Sequence, residues 1–427
     1  MSIVLSNFCK IKKADIEIGG LTVIAGPNDT GKSTIGKALY ATIKSQVGFP
    51  DFYNKIHNRS IISKLLNPFF SFIGSMDFNN NDPASQELLK ELSDLRFRFF
   101  IADQISNPNN DKSDSLIKNV FDIVTRCKNK FKLSDEICKP IFDIQTEYNN
   151  TVSDEKKFKN IAEYYFKNTF SNNINNSVHK EKTELSFSFK GNVISKLSIE
   201  NNTISQAQID KEKNFLSFTD VTFIDSPLYL ERSHDSEAVY IQDLKQKINS
   251  AQQLLEKSSD TEITKKIIAI LNNAEFSYNS RNKDLEYKVT LDADSLKITS
   301  IASGSKSFGI LYLLLKTNLL RNDTIIVLDE PENHLHPEWQ IKYAEILILL
   351  IKENYHIVLT SHSPTFIYAL ATYAREYNID TKKVNFYLAE KIEDKNYSNL
   401  VNVNDNIEKI YDSLYSPNDI LYSFYHD

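Results

Sequence analysis

One stretch, at positions 26–34, limits what this chain can fold into more than any other feature of the sequence. It reads GPNDTGKST and fits the pattern GxxxxGK[ST]. An apolar run at 21–25 precedes it, and Ile35, Leu39 and Ile43 follow at the spacing of a helix face. Between a buried strand and a helix, this pattern is typical of a loop whose backbone N–H groups bind phosphate. The sequence therefore predicts a strand, a phosphate-binding loop and a helix.

This loop predicts a nucleotide and Mg²⁺ as ligands. Lys32 would place its charge on the β and γ phosphates, and Ser33 would hold the magnesium ion. The residues expected to bind the nucleotide are Gly26, Pro27, Asn28, Asp29, Thr30, Gly31, Lys32, Ser33 and Thr34.

A pair of carboxylates follows a second apolar run. Residues 324–328 read TIIVL, as expected for a parallel strand with helices on both faces, and Asp329 and Glu330 come directly after them. A doubly wound sheet places its ligands at the carboxyl ends of such strands. We therefore expect Asp329 to reach the magnesium ion through water and Glu330 to polarise the water that attacks the γ phosphate.

Two more motifs extend the pattern. His362 follows the apolar run 357–361, so it also stands at a strand end, where its imidazole can hydrogen-bond a γ phosphate. Ser303 and Gly304 precede an apolar helix predicted at 308–320 and would form a second anion-binding corner. Taken alone, His362 is a structural histidine and Ser303 an ordinary helix cap. The order of the four motifs along the chain favours the functional interpretation.

The chain is expected to have three segments. Residues 1–46 carry the phosphate loop, and residues 47–184 show helical periodicity broken by Asn-rich stretches, which predicts a mainly helical insertion. Residues 185–427 begin with a β hairpin pattern and carry the remaining motifs. The predicted fold class is α/β, with a large helical insertion and a small β subdomain.

Composition and targeting signals bear on the partners and the cellular location of the chain. It has 427 residues with 50 Lys and Arg against 56 Asp and Glu, a net charge of −6, so net charge predicts no general affinity for nucleic acid. Three widely spaced cysteines without a CxxC pair favour reduced thiols. We find neither a signal-peptide core nor a run long enough to span a bilayer, and expect a cytoplasmic protein with no membrane partner.

With all motifs in place, the chain resembles the ABC-type ATPase heads of the RecF, SMC and OLD-like group. The phrases DEPENHLHP and TSHSPTF look most like the bacterial OLD-like branch, often found in antiphage systems. The resemblance implies a P-loop head built on a mixed sheet with helices on both faces, binding ATP and Mg²⁺. The Walker A segment is 26–34, the signature is 302–306 and Walker B is 324–330. The D-loop segment is 331–337, and the switch-histidine segment is 360–364.

In this group two heads bind head to tail and enclose two ATP molecules. The resemblance therefore implies a homodimer, or a higher assembly of dimers, in which Ser303 of one head reaches the γ phosphate bound by the other. ATP would favour the closed pair and hydrolysis would release it. Ser305 and Lys306 replace the usual second glycine and glutamine of the signature, and the Q-loop residue is not identified.

Many OLD-like proteins continue into a TOPRIM nuclease, whereas the residues after His362 are expected to complete the head. The first hypothesis is therefore an ATPase that controls a nuclease or toxin supplied in trans, in an antiphage module resembling the Septu or PARIS type. The alternatives are a RecF-like ATPase acting on DNA, a slowly hydrolysing scaffold that cages a partner, and, least favoured, a transporter subunit. The candidate DNA-contacting residues are Lys10, Lys12, Lys13, Arg126, Lys128, Lys130 and Lys132.

Overall fold

The computed structural model describes most of the chain. The described residues are 1–47, 49, 51–76, 82–104, 113–150, 152–174, 181–210, 218–225, 238–255, 258–279, 284–288, 296–297, 300–392 and 396–415. They form two compact units. Unit 1 comprises Met1–Val47 and Ala162–Asp427, and unit 2 comprises Gly48–Ile161.

The strands all belong to unit 1. They are β1 (Ser2–Phe8), β2 (Ile11–Glu17), β3 (Leu21–Ala25), β4 (Thr183–Phe189), β5 (Asn192–Glu200), β6 (Thr203–Ile209), β7 (Asp220–Ile224), β8 (Glu275–Asn279), β9 (Asp284–Lys288), β10 (Leu296–Lys297), β11 (Thr324–Asp329), β12 (His356–Ser361), β13 (Val384–Lys391) and β14 (Ser398–Asn402).

The helices are divided between the units. Unit 1 holds α1 (Lys32–Gln46), α7 (Val239–Leu254), α8 (Glu262–Ile270), α9 (Ser303–Lys316), α10 (Pro337–Lys352), α11 (Pro364–Glu376) and α12 (Glu408–Tyr415). Unit 2 holds α2 (Asp51–Gly74), α3 (Pro83–Gln104), α4 (Ser113–Phe131) and α5 (Asp135–Asn149), and α6 (Asp154–Thr169) crosses the boundary. Within the described ranges, no helix combines the length and the apolar character of a membrane span.

A mixed sheet organises unit 1. Its order is β6-β5-β4-β1-β2-β14-β13-β3-β12-β11-β7, while β10-β9-β8 form a smaller sheet. The strands β13, β3, β12, β11 and β7 pair in parallel, and those from β6 to β2 pair antiparallel. The phosphate loop follows β3, at the middle of the parallel half.

Helices cover both faces of the parallel strands. On one face, Leu347 of α10 and Leu370 of α11 are buried in one cluster with Ile326 of β11. On the other face, α1 packs so closely that a Cβ on Gly36 would lie 3.0 Å from Val327 Cγ1 of β11. Burial on both sides explains why β11 and β12 read as continuous apolar runs. The predicted α/β fold class, a mixed sheet with helices on both faces, is confirmed.

The predicted β hairpin is confirmed and enlarges the main sheet. β4 and β5 pair antiparallel, and β4 also pairs with β1. The sequence analysis did not predict β6, because Ile204 is the one large apolar side chain that is fully buried there. It also missed the small sheet of β8, β9 and β10.

The regular secondary structure described in unit 2 is helical. Its core includes Leu65 of α2, Leu92 of α3 and Val120 of α4, all inaccessible to solvent. α3 and α4 agree with the mainly helical insertion that the sequence predicts.

The end of unit 2 differs from the insertion boundary expected at residue 184. Unit 2 ends at Ile161 because the second half of α6 packs within unit 1. There Phe166 meets Phe8 edge to face at 6.1 Å, and Tyr165 meets Tyr40 at 6.4 Å. The division of the sequence into three segments stays a prediction.

Candidate functional site

The phosphate loop lies between β3 and α1. α1 begins at Lys32, with Gly31 as its N-cap. Gly31 has a φ of 83° and Gly26 a φ of 149°, values that side-chain-bearing residues rarely adopt. A Cβ on Gly31 would lie 2.8 Å from Ile11 Cδ1, so β2 packs directly against the loop. The N–H groups at the start of α1 are suited to phosphate oxygens.

Lys32 is buried at the junction between this loop and β11. Its side chain is 4% exposed, and Nζ donates hydrogen bonds to Gly26 O at 2.8 Å and Pro27 O at 2.9 Å. Nζ also lies 3.7 Å from Glu330 Oε1. Burial lowers the pKa of Lys32, and the carboxylates of Glu330 and Asp329 oppose that effect. The loop therefore holds a cation beside the strand-end carboxylates.

Asp29 ties the loop to the β1–β2 turn. It adopts a φ of 66°, and its carboxylate forms an ion pair with Lys10. The hydrogen bond from Lys10 is the main cause that lowers the pKa of Asp29. Since both side chains are exposed, the pair adds little to stability. It does place Lys10 against the phosphate loop.

Asp329, the last residue of β11, lies beside Ser33 of α1. Its Oδ1 accepts a hydrogen bond from Thr360 Oγ1 at 2.5 Å, and the Ser33 side chain also bonds this carboxylate. Burial raises the pKa of Asp329, and the two hydrogen bonds oppose it. A hydroxyl and a carboxylate are hard oxygen donors that suit Mg²⁺, whose other ligands are usually water and phosphates. The pair fits the predicted ion, and its role as ligand stays a prediction.

Glu330 is surrounded by hydrogen-bond donors and cations. Its Oε1 lies 3.2 Å from His362 Nδ1 and 3.7 Å from Lys32 Nζ, while Oε2 accepts from Asn333 Nδ2 at 2.9 Å. The contact with His362 is the main cause that lowers the pKa of Glu330 to about 2. Glu330 is thus an anion at neutral pH, suited to orienting a water molecule by accepting its hydrogen bond.

His362 comes directly after β12 and lies between two carboxylates. Its Nδ1 is 3.2 Å from Glu330 Oε1 and 3.9 Å from Glu332 Oε1. Glu330 is the main cause that raises the pKa of His362 above its usual value. Because Nδ1 faces the carboxylates, Nε2 points away from them and can meet a ligand oxygen. The structure thus brings together Lys32, Asp329, Glu330 and His362, and their roles in the reaction stay predictions.

Ser303 and Gly304 lie in the first turn of α9. The helix predicted at 308–320 is therefore wrong at both ends, since α9 runs Ser303–Lys316. Packing explains the earlier start, because a Cβ on Gly304 would lie 3.0 Å from Leu335 and 3.2 Å from Trp339. No side chain caps the helix, so the ordinary-cap interpretation of Ser303 does not apply. Its expected contact with a γ phosphate stays a prediction.

Several residues of the site were not predicted from the sequence. Thr360 pairs in register with Asp329 and bonds its carboxylate. Asp225 follows β7, and with Glu330 and Asn333 it lines a cavity of about 60 Å³, room for a few water molecules. The sequence does contain a signal for Asp225, because this residue follows an apolar run just as Asp329 does. The residues missed are Asp225, Glu332, Asn333 and Thr360.

Comparison with known proteins assigns the family. Residues 1–367 match a protein-family model described as an AAA ATPase domain. This chain belongs to the AAA ATPase domain family. As a member of the family it is an ATP-binding ATPase domain, in agreement with the phosphate loop and the carboxylates after β11. No curated protein matches the sequence.

Solved SMC heads are among the structures to which this chain is similar. The SMC head domain from Thermotoga maritima is 12% identical with a TM-score of 0.39, and the match covers 94% of this chain and 98% of that chain. A Smc head with an extended coiled coil, bound to the C-terminal domain of ScpA from Pyrococcus furiosus, is 12% identical with a TM-score of 0.35. That match covers 97% of this chain and 98% of that chain.

The basic residues considered for DNA contact mostly form ion pairs. Lys10 and Lys12 pair with acidic residues within unit 1. Arg126, Lys128 and Lys130 do the same within unit 2. These pairs are typical of a solvated surface rather than of a strip that neutralises phosphates. The remaining candidates, both exposed, are Lys13 and Lys132.

Proposed function

We propose that this chain is the ATP-hydrolysing subunit of a bacterial antiphage defence module. In this proposal a homodimer closes around ATP and controls a partner effector, a nuclease or a toxin. The observation that carries the hydrolysis is the contact of Glu330 with both Lys32 and His362, beside Asp329 and Ser33.

Each side chain has a defined task in the proposed reaction. Lys32 and the N–H groups of the loop bind the phosphates, and Glu330 orients the attacking water. Mg²⁺, held by Ser33 and Asp329, would neutralise charge that develops on the phosphates. His362 keeps Glu330 ionised and offers Nε2 to the γ phosphate, so the site binds and orients its reactants with little reorganisation.

Two observations support a dimer that controls a partner. The resemblance of DEPENHLHP and TSHSPTF to the OLD-like branch favours head-to-tail pairing and an antiphage role. In addition, Gly304 contacts Leu335, which puts the signature start next to the D-loop segment 331–337. In this proposal the signature start and the D-loop segment form the surface that reaches the ATP bound by the second head. The ion pairs of the basic residues make direct DNA binding the weaker alternative.

The hydrolysis proposal is tested by steady-state ATP turnover combined with ATP binding. Glu330→Gln should retain ATP binding and lose about 10²-fold or more in turnover, the usual scale for removing a general base. Lys32→Ala should lose ATP binding. Glu353→Gln makes the same chemical change at the exposed end of α10 and should behave as wild type. Normal turnover by Glu330→Gln would refute the assignment.

The partner is tested by pull-down of tagged Glu330→Gln from its native host in Mg-ATP. A stoichiometric second protein, retained with ATP and lost in Lys32→Ala, would support the effector role. DNA alone, released by moderate salt, would instead favour the DNA-repair alternative. Single-turnover rates would separate both from a scaffold that scarcely hydrolyses ATP.

A further inference from the structure

Glu332 is a buried carboxylate that has no role in the proposed reaction and was not predicted from the sequence. It is 2% exposed, and it lies in the segment that follows the carboxylates of β11. Its Oε1 accepts hydrogen bonds from Ser361 Oγ at 2.6 Å and from the backbone N–H of His362 at 3.1 Å. Its Oε2 is buried and has no hydrogen-bond partner among the described residues. Burying a carboxylate oxygen without a hydrogen bond is costly, so the burial of Glu332 calls for an explanation.

The two hydrogen bonds fix the turn between β12 and α11. Ser361 Oγ, which donates to Glu332, accepts in turn from the N–H of Ser363 at 3.1 Å. Ser363 caps α11, because its Oγ accepts from the N–H of Phe366 at 3.3 Å. Glu332 thus holds one end of a short chain of bonds that sets where the backbone of His362 leaves the sheet.

The same carboxylate faces the imidazole that this turn carries. Nδ1 of His362 lies 3.9 Å from Glu332 Oε1 and 3.2 Å from Glu330 Oε1. We propose that Glu332 is a positioning residue, which holds the backbone at His362 so that the imidazole keeps its contact with Glu330. This inference rests on the proposed ATP hydrolysis for its activity readout. Glu332 acts through His362 and makes no contact of its own with ATP.

Two variants of Glu332 separate hydrogen bonding from charge. Glu332→Gln keeps an oxygen that can accept both bonds, and turnover should stay within about threefold of wild type. Glu332→Ala removes both acceptors, so kcat should fall about tenfold or more while KM for ATP changes less than about twofold, the pattern of a misplaced catalytic group. Ser361→Ala removes one of the two bonds and should give an intermediate loss.

A double-mutant comparison tests whether the effect passes through His362. In a His362→Ala background, Glu332→Ala should lower kcat by less than about twofold further, because residues acting as a unit are not additive. An equal loss in both backgrounds, or a Glu332→Gln variant as impaired as Glu332→Ala, would overturn the inference. If Glu332→Ala fails to fold, Ser361→Ala carries the same comparison.

A second readout does not depend on hydrolysis. In protein labelled at histidine ¹³Cε1, the signal of His362 is assigned by its loss in His362→Ala. Glu332→Ala should move this signal, and Glu332→Gln should restore it. An unmoved signal in Glu332→Ala overturns the inference, whether or not the wild type hydrolyses ATP. A wild type unable to hydrolyse ATP would refute the proposed function, and that result is independent of the signal of His362.

Discussion

Replacing Gly31 by Ala tests how the phosphate loop is held in shape. At a φ of 83° an L residue is strained by about 1–2 kcal/mol. The new Cβ would also lie 2.8 Å from Ile11 Cδ1, and relieving such overpacking costs about 1–3 kcal/mol. Together these effects predict that the free energy of unfolding falls by about 2–5 kcal/mol.

Two matched variants separate the backbone cost from the contact. Gly191→Ala has a similar φ of 78° with nothing within 4 Å of its Cβ, so it should show the backbone cost alone. Ile11→Val deletes the Cδ1 atom itself and should cost about 0.5–1.5 kcal/mol. In the double variant with Gly31→Ala, the free energy of unfolding should fall by about 1–2 kcal/mol less than the sum of the two single losses, because the close contact is gone.

The assay is urea unfolding followed by the fluorescence of Trp339, the single tryptophan of the chain, which lies in unit 1. Unit 1 also contains the three substituted positions. The reasoning would be refuted if Gly31→Ala and Ile11→Val were additive within about 0.5 kcal/mol. It would fail equally if Gly191→Ala were as destabilising as Gly31→Ala.

Other substitutions test the dimer and the charges of the site. Ser303→Arg should block the ATP-dependent dimer in light scattering while the monomer still binds ATP; an unchanged dimer yield would contradict its role in trans. Because the pKa of His362 is raised, the stability advantage of wild type over His362→Ala should be complete below about pH 6.5 and decline as pH rises through the raised pKa. A difference that stays constant up to about pH 9 would contradict the ion pair. The pKa of Glu330 is instead lowered from 4.5 to about 2, mainly by His362, so the advantage over Glu330→Gln should be complete between about pH 4.5 and 6.5 and disappear as pH falls toward about 2.

The strands that carry the site could be predicted because they are buried on both faces. Such strands have no polar face, so β3, β11 and β12 stand out as mainly apolar runs. Asp329, which ends β11, and His362, which follows β12, could then be placed at one edge of the sheet from the sequence alone. The free cysteines also agree with the expectation of reduced thiols.

Features set by contacts between distant segments could not be read from the sequence. The start of α9 depends on Gly304 packing against Leu335, and the task of Glu332 depends on Ser361 in another strand. In the same way, α6 continues a helical pattern while its second half packs on Phe8. Local periodicity contains no signal for such contacts, so boundaries and supporting residues were missed.

The geometry of the site follows from the register of three neighbouring parallel strands. Ala25 of β3 is level with Ser361 of β12, and Thr360 is level with Asp329 of β11. The next residues therefore leave the sheet at one edge, carrying the loop, the imidazole and the carboxylate. A slip of one residue in β11 would move Glu330 by about 3.3 Å along the strand, as far as its whole separation from the imidazole. Buried substitutions that disturb this register should therefore abolish hydrolysis without changing any residue of the site.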